Sequence, residues 1–196
     1  DYLRMNNEIG PTTLQPNTLK ITAEELEKEL RAAGVTVRAH PWLAGCFEVS
    51  ATGDLERLPA FTDGHFTVQD AAARLVATVA APGETDRVLD MCAAPGGKSF
   101  ALAIDQKDRG EILSCDVHPH KLSLIERGAE RLGIHSVRTA LADGRERHAA
   151  WENAADLVVA DVPCSGLGII RKKPDIRYKD PKELAELPAI QSAILD

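Results

Sequence analysis

From Asp86 onward the chain alternates short apolar runs with amphipathic stretches, and this rhythm constrains the fold more than any other feature. "RVLDM", "EILSCDV", "SVRTAL" and "DLVVADV" read as strands. A helix starts near Gly97, and "PHKLSLIERGAERLG" forms another, with Leu122, Ile125, Ala129 and Leu132 on one face. Strand, helix, strand, helix is the pattern of a parallel sheet with helices on its faces. Ligands of such sheets sit at the carboxyl ends of the strands, near the switch in strand order. The chemically interesting residues fall at those ends: Asp90 to Lys98, Asp116, Asp143 and Asp161.

Residues 1 to about 82 have a different rhythm and read as a small α+β unit. In "TAEELEKELRAAG", Thr22 and Glu25 make a helix start, Leu26 and Leu30 share a face, and Gly34 supplies the stop. "VTVRA" and "CFEVS" alternate as strands. "TVQDAAARLVATVAAPGE" reads as a second helix packing through Ala72, Leu75, Val76 and Val79 and closed by Pro82-Gly83. With 44% hydrophobic residues in 196, the chain can bury the core of one or two small domains. No run approaches the roughly 18 apolar residues of a membrane span. The first residues, "DYLRMNNEIG", have neither the basic start nor the apolar middle of a signal peptide. The absence of an initial Met suggests a cut chain.

Four scattered cysteines, Cys46, Cys92, Cys115 and Cys164, form no C-x-x-C pair. That argues against a zinc site or a disulfide framework and for a reduced, cytoplasmic setting. A net charge of -7 disfavours indiscriminate nucleic-acid binding but leaves room for a local basic groove. "RKKPDIRYK" is the candidate: Arg171, Lys172, Lys173, Arg177 and Lys179 outnumber Asp175, although a solvated charged loop would look the same.

The run "CAAPGGKS" misses the phosphate-loop pattern G-x-x-x-x-G-K-[ST] by one residue, Cys92. Cys92 and Pro95 both spoil that geometry, since Pro95 fixes φ and offers no N–H. "DLVVAD" does imitate the acidic strand of a magnesium site, which keeps a nucleotide-triphosphate reading alive. A dehydrogenase would want G-x-G-x-x-G, which is absent. A Gly-rich turn after the first strand plus Asp116 at the end of the second suits a cofactor with ribose hydroxyls and no phosphate, as S-adenosylmethionine is. Asp161, Pro163 and Cys164 follow the fourth strand and should line the same pocket, Cys164 standing just before the flexible Ser165-Gly166-Leu167-Gly168.

"DMCAAPGGKS" and "DVPCSGLGIIRKKPDIRY" resemble the motifs of the RsmB-like (Sun/Fmu) RNA cytosine-C5 methyltransferases. "LQPNTLKITAEELEKEL" and "DGHFTVQDAAARL" resemble the small domain preceding the catalytic domain in that family, so the likeness covers nearly the whole chain. The resemblance implies a partial Rossmann-like methyltransferase sheet, α/β with about four parallel strands, over residues 83–196. An RNA-recognition-like α+β domain would cover 1–82. It further implies that Cys92, Ala93, Ala94, Pro95, Gly96, Gly97 and Lys98 form the S-adenosyl-L-methionine loop. Asp116 would hold the ribose, Asp143 the adenine side, and Asp161 the donor's amino-acid end beside the reacting base. Cys164 would be the second active-site cysteine, which assists departure of the product, with Arg171, Lys172, Lys173, Arg177 and Tyr178 on the RNA. The implied partner is RNA, in particular small-subunit ribosomal RNA.

The family's attacking cysteine lies in a Thr-Cys motif at the end of a fifth strand, and no cysteine follows Cys164 in this sequence. The chain therefore reads as a fragment that binds cofactor without turning over. The family's sheet order would also leave "DLVVADV" with an open edge, which invites self-association. Two rivals stand beside this reading: a methyltransferase acting on DNA or protein, and a cofactor-binding RNA-associated module without catalysis.

Overall fold

The computed structural model describes residues 10–50 and 53–196. Two four-stranded sheets organise it. The first is antiparallel, in order β2-β3-β1-β4, from β1 (Thr12–Pro16), β2 (Thr36–Ala39), β3 (Phe47–Ser50) and β4 (Phe66–Val68). Helix α1 (Ala23–Ala32) covers one face, started by a complete Thr22–Glu25 capping box and inserting Leu26 and Leu30. Those leucines meet Leu14, Val37, Phe47, Val49 and Phe66 in one core, to which the single-turn α2 (Pro59–Thr62) adds Ala60.

The second sheet is parallel, in order β7-β6-β5-β8, from β5 (Arg87–Asp90), β6 (Glu111–Asp116), β7 (Val137–Leu141) and β8 (Leu157–Val159). Its outward steps from β5 to β6 and β7, and the jump back to β8, put the switch point between β5 and β8. Helices α3 (Ala71–Ala80), α4 (Gly97–Asp105) and α5 (Pro119–Leu132) bury their apolar sides in one core with Val88, Ile112 and Val159. Ile125, Ala129 and Leu132 of α5 are buried and Leu122 packs against them, as their spacing requires. The last helix, α6 (Pro181–Leu195), buries no residue fully. No helix among the described residues is long and apolar enough to cross a membrane.

Helix α3 departs from expectation in extent and in face. Thr67 and Val68 belong to β4, and Asp70 caps the helix by accepting from the Ala72 amide. Its buried residue is Ala77, whereas Ala72, Leu75, Val76 and Val79 are exposed, Val79 to 77%. A helix apolar on nearly every side does not choose its face by pattern. The small Ala77 lets α3 approach the α4 side closely, and the larger residues then line an apolar groove with Leu157 and Val158 beside β8.

Polar side chains lock the two sheets together. Asn17, wholly buried, donates through Nδ2 to Gly64 O (2.9 Å) and to Leu132 O (2.8 Å) at the end of α5. Arg131 stacks its guanidinium 3.8 Å from the Phe61 ring centre and donates to Phe61 O. Gln69 reaches from the first unit to donate to Gly97 O (3.0 Å), the first residue of α4.

Candidate active site

The loop between β5 and α4 is shaped by its own backbone. Ala93 N–H donates to Cys115 O on the neighbouring strand, and Gly96 N–H turns back to Ala93 O. Pro95 has no N–H. Three of the five groups from Cys92 to Gly96 are thus withdrawn from any phosphate, and the loop is not an anion nest of the kind a triphosphate needs. Gly96 has φ +107°, a conformation open to glycine alone at low cost, and the Phe100 ring packs where its side chain would be. Lys98 does not stand ready for a phosphate either: its Nζ lies 2.6 Å from Asp161 Oδ2, bridging the switch point from α4 to the segment after β8.

Beneath the loop lies a buried polar chain. Ser114 Oγ donates to Ser99 Oγ (2.8 Å), which donates to Asp90 Oδ2 (2.7 Å). All three residues are wholly buried. Burial pushes the Asp90 carboxyl up to about 6, against the hydrogen bond from Ser99 and the charge of Lys98. A carboxyl raised on folding takes up a proton as the chain folds between pH ~4 and ~6, so its contribution turns against stability as pH rises through 6. Replacing Asp90 by Asn keeps the acceptor for Ser99 and removes the charge. The expected result is a larger gain in melting temperature at pH 8 than at pH 5, read by thermal denaturation at both.

At the strand ends Cys92, Ala94, Asp116, Asp143 and Asp161 line one cavity of about 370 Å³, within the range of small-molecule sites. Ala93, Pro95, Gly96, Gly97 and Lys98 shape or anchor its loop without lining it. Asp116 is oriented by the segment after β6: its Oδ1 accepts the His118 amide (2.9 Å) and sits 3.0 Å from His118 Nδ1. Asp143 is clamped by Arg145, which donates Nε (2.9 Å) and its own backbone N–H (3.0 Å) to Oδ1. Those bonds hold its carboxyl down to about 2. Asp143 is therefore a held carboxylate at the rim of this cavity.

Several lining residues have no counterpart among the expected ones. Lys121 and Arg145 bring positive charge to the cavity, His118 brings an imidazole, and Ile190 and Ile194 of α6 supply an apolar wall. Gln191, between them, donates to Pro163 O (2.8 Å) and ties α6 to the loop carrying Cys164. The i, i+4 spacing of Ile190 and Ile194 in "PAIQSAIL" is the signal that marks this face.

The cysteines separate by environment. Burial, aided by the surrounding carboxylates, pushes the Cys92 thiol up to about 11, and burial pushes Cys115 up to about 12. Neither is a thiolate at neutral pH. Cys164 is exposed and directly follows the lining residue Pro163. The basic segment is exposed as well, with Tyr178 at 86%. Arg171 and Lys172 line a different cavity, where Lys172 pairs with Asp70, and Lys179 donates to Ser165 O (3.0 Å). Among the described residues no cluster of His, Cys, Asp and Glu is suited to a metal.

The strand order, the Gly-containing loop after the first parallel strand and the carboxylates at successive strand ends define a Rossmann-like fold of the methyltransferase class. The family model described as 16S rRNA methyltransferase RsmB/F matches residues 77–196, and the chain belongs to that family. Over 185 residues it is 37% identical to the probable ribosomal RNA small subunit methyltransferase B of Bacillus subtilis (strain 168), covering 93% of this chain and 41% of that protein. The corresponding protein of Serratia proteamaculans (strain 568) is 30% identical over 97% of this chain and 44% of its own length. The crystal structure of a methyltransferase homolog protein from Pyrococcus horikoshii superposes with TM-score 0.82 at 25% identity, over 98% of this chain and 61% of that one. The chain thus spans less than half the length of both curated relatives.

Proposed function

We propose that this chain carries the methyl-donor site and one of two active-site cysteines of an enzyme that methylates carbon-5 of a cytosine in small-subunit ribosomal RNA. One observation carries the reading: carboxylates from three strand ends converge with the Cys92–Ala94 turn on a single cavity, and Cys164 directly follows its lining residue Pro163. The residues present fit S-adenosylmethionine. Asp116, fixed by His118, suits ribose hydroxyls; Asp143 offers an acceptor for an adenine amino group; Asp161 offers a carboxylate for an ammonium group. Family membership and the small-subunit names of the relatives support the RNA substrate.

When bound, S-adenosylmethionine supplies an electrophilic methyl group. Carbon-5 of cytosine is a poor nucleophile until a thiolate adds to carbon-6 and makes the ring enamine-like. Once carbon-5 is methylated, a base removes its proton, the carbon-6–sulfur bond breaks, and the thiolate leaves. The raised thiols of Cys92 and Cys115 suit neither thiolate role, which leaves the exposed Cys164 as our candidate to assist departure. The attacking cysteine has no candidate here, so this chain binds donor and RNA without turnover. Incubation with small-subunit ribosomal RNA and isotopically labelled donor should transfer no methyl group. Transfer that vanishes in Cys164→Ala would overturn this and make Cys164 the attacking thiol.

Strand β8 pairs with β5 alone among the described residues, and its other side meets the apolar groove beside α3. An open apolar edge recruits further strands. Sedimentation should show an association that grows with concentration; a monomer at all concentrations would argue against it.

A further inference from the structure

We propose that a second groove, between the β2–β3 turn and residues 168–172, holds an unpaired base of the RNA against Trp42. This rests on the RNA reading above and adds a base-binding site to it. The groove encloses about 300 Å³, and His40, Trp42, Glu48, Asp70, Arg171 and Lys172 are among the residues that line it.

Trp42 is a prepared platform. Trp42 is 57% exposed, and its ring stands edge-on to His40 at 4.6 Å between centres. His40 is itself buried and fixed: its Nδ1 accepts the Leu43 amide (3.2 Å), and its backbone N–H donates to Cys46 O. An exposed indole held in one orientation offers a stacking face at little entropic cost, and every base has a face to match it.

Charge selects the base rather than the phosphate as occupant. Arg171 and Lys172 are balanced in the groove by Glu48 and Asp70, and Lys172 is paired with Asp70. A phosphate gains little from a neutral site, while an uncharged ring gains stacking plus polar groups along its edge. The phosphates fall instead to Lys173, Arg177 and Lys179, all exposed further along the same segment. Gly168 follows Cys164 by four residues, so the groove begins within roughly 14 Å of chain from the active-site loop. A base held here is a near neighbour of the target in the same single strand.

The test is fluorescence titration of the chain with a short single-stranded RNA. The Trp151→Phe background leaves Trp42 as the sole indole. RNA should quench Trp42 emission, Trp42→Ala should weaken RNA binding about tenfold, and Trp42→Phe should retain most of the affinity. Calorimetric binding of S-adenosylmethionine should be unchanged in Trp42→Ala, which separates a local loss from misfolding. RNA binding with unaltered Trp42 emission, or equal affinity in Trp42→Ala, overturns the groove and leaves the RNA substrate standing. No RNA binding by any variant overturns both.

Discussion

Asp116→Ala should weaken S-adenosylmethionine binding by about 100-fold or more, because a carboxylate that accepts two ribose hydroxyls contributes two charge-assisted hydrogen bonds. The side chain closes β6 and is nearly buried, with Oδ1 already engaged by the His118 backbone and ring. Only its other oxygen is unbonded among the described residues, so the native arrangement presents it in one direction. Asp116→Asn keeps an acceptor for the His118 amide and loses the charge, and should fall between wild type and Ala. Calorimetric titration of the three proteins checks this. Equal affinities would remove Asp116 from the donor site, whatever else the cavity binds.

Gly96→Ala should be among the most damaging single methyl groups in the molecule. At φ +107° the added Cβ would be strained in any surroundings, and here it would lie 2.4 Å from Phe100 Cζ. Phe100 has nowhere to go, because the same ring atom would lie 2.5 Å from a Cβ at Gly128 on α5. The ring is wedged between two glycines and 7% exposed. Backbone strain and overpacking together cost about 4 kcal/mol, which lowers the melting temperature by roughly 10 °C in a chain of this size. Thermal denaturation gives the stability loss, and donor titration of the folded fraction should show the loop's site lost with it. An unchanged melting temperature would mean that the loop conformation is wrong.

The parallel half was legible because its signals are local. Each strand is a short apolar run, α5 carries one stripe, and the ends of the strands lead to the carboxylates that meet at the cavity. The antiparallel half was harder to read. Strand β1, "TTLQP", has a single large apolar residue, yet Thr13 and Gln15 are also buried, so it has no alternation to detect. Strand β4 hides in "FTV" ahead of a helix start and was absorbed into that helix. The face of α3 is set by tertiary contact through Ala77 and not by periodicity.

Within the site, the missing pieces are relations between distant residues. The Arg145 clamp on Asp143, the Asp90–Ser99–Ser114 chain, the Lys98–Asp161 bridge and the α6 wall each join elements whose proximity only the fold creates. The same holds for Gln69 on Gly97 and for Trp42, whose exposure and neighbours no pattern in its own segment discloses.

The proposed function requires that the cavity at the strand ends take a methyl donor and not a nucleotide triphosphate. Calorimetric titration of the chain with S-adenosylmethionine, with ATP–Mg as the comparison, tests it most directly. Saturable binding of S-adenosylmethionine and none of ATP–Mg is the result expected. Saturable ATP–Mg binding without S-adenosylmethionine binding would contradict it and return "CAAPGGKS" to the phosphate loops.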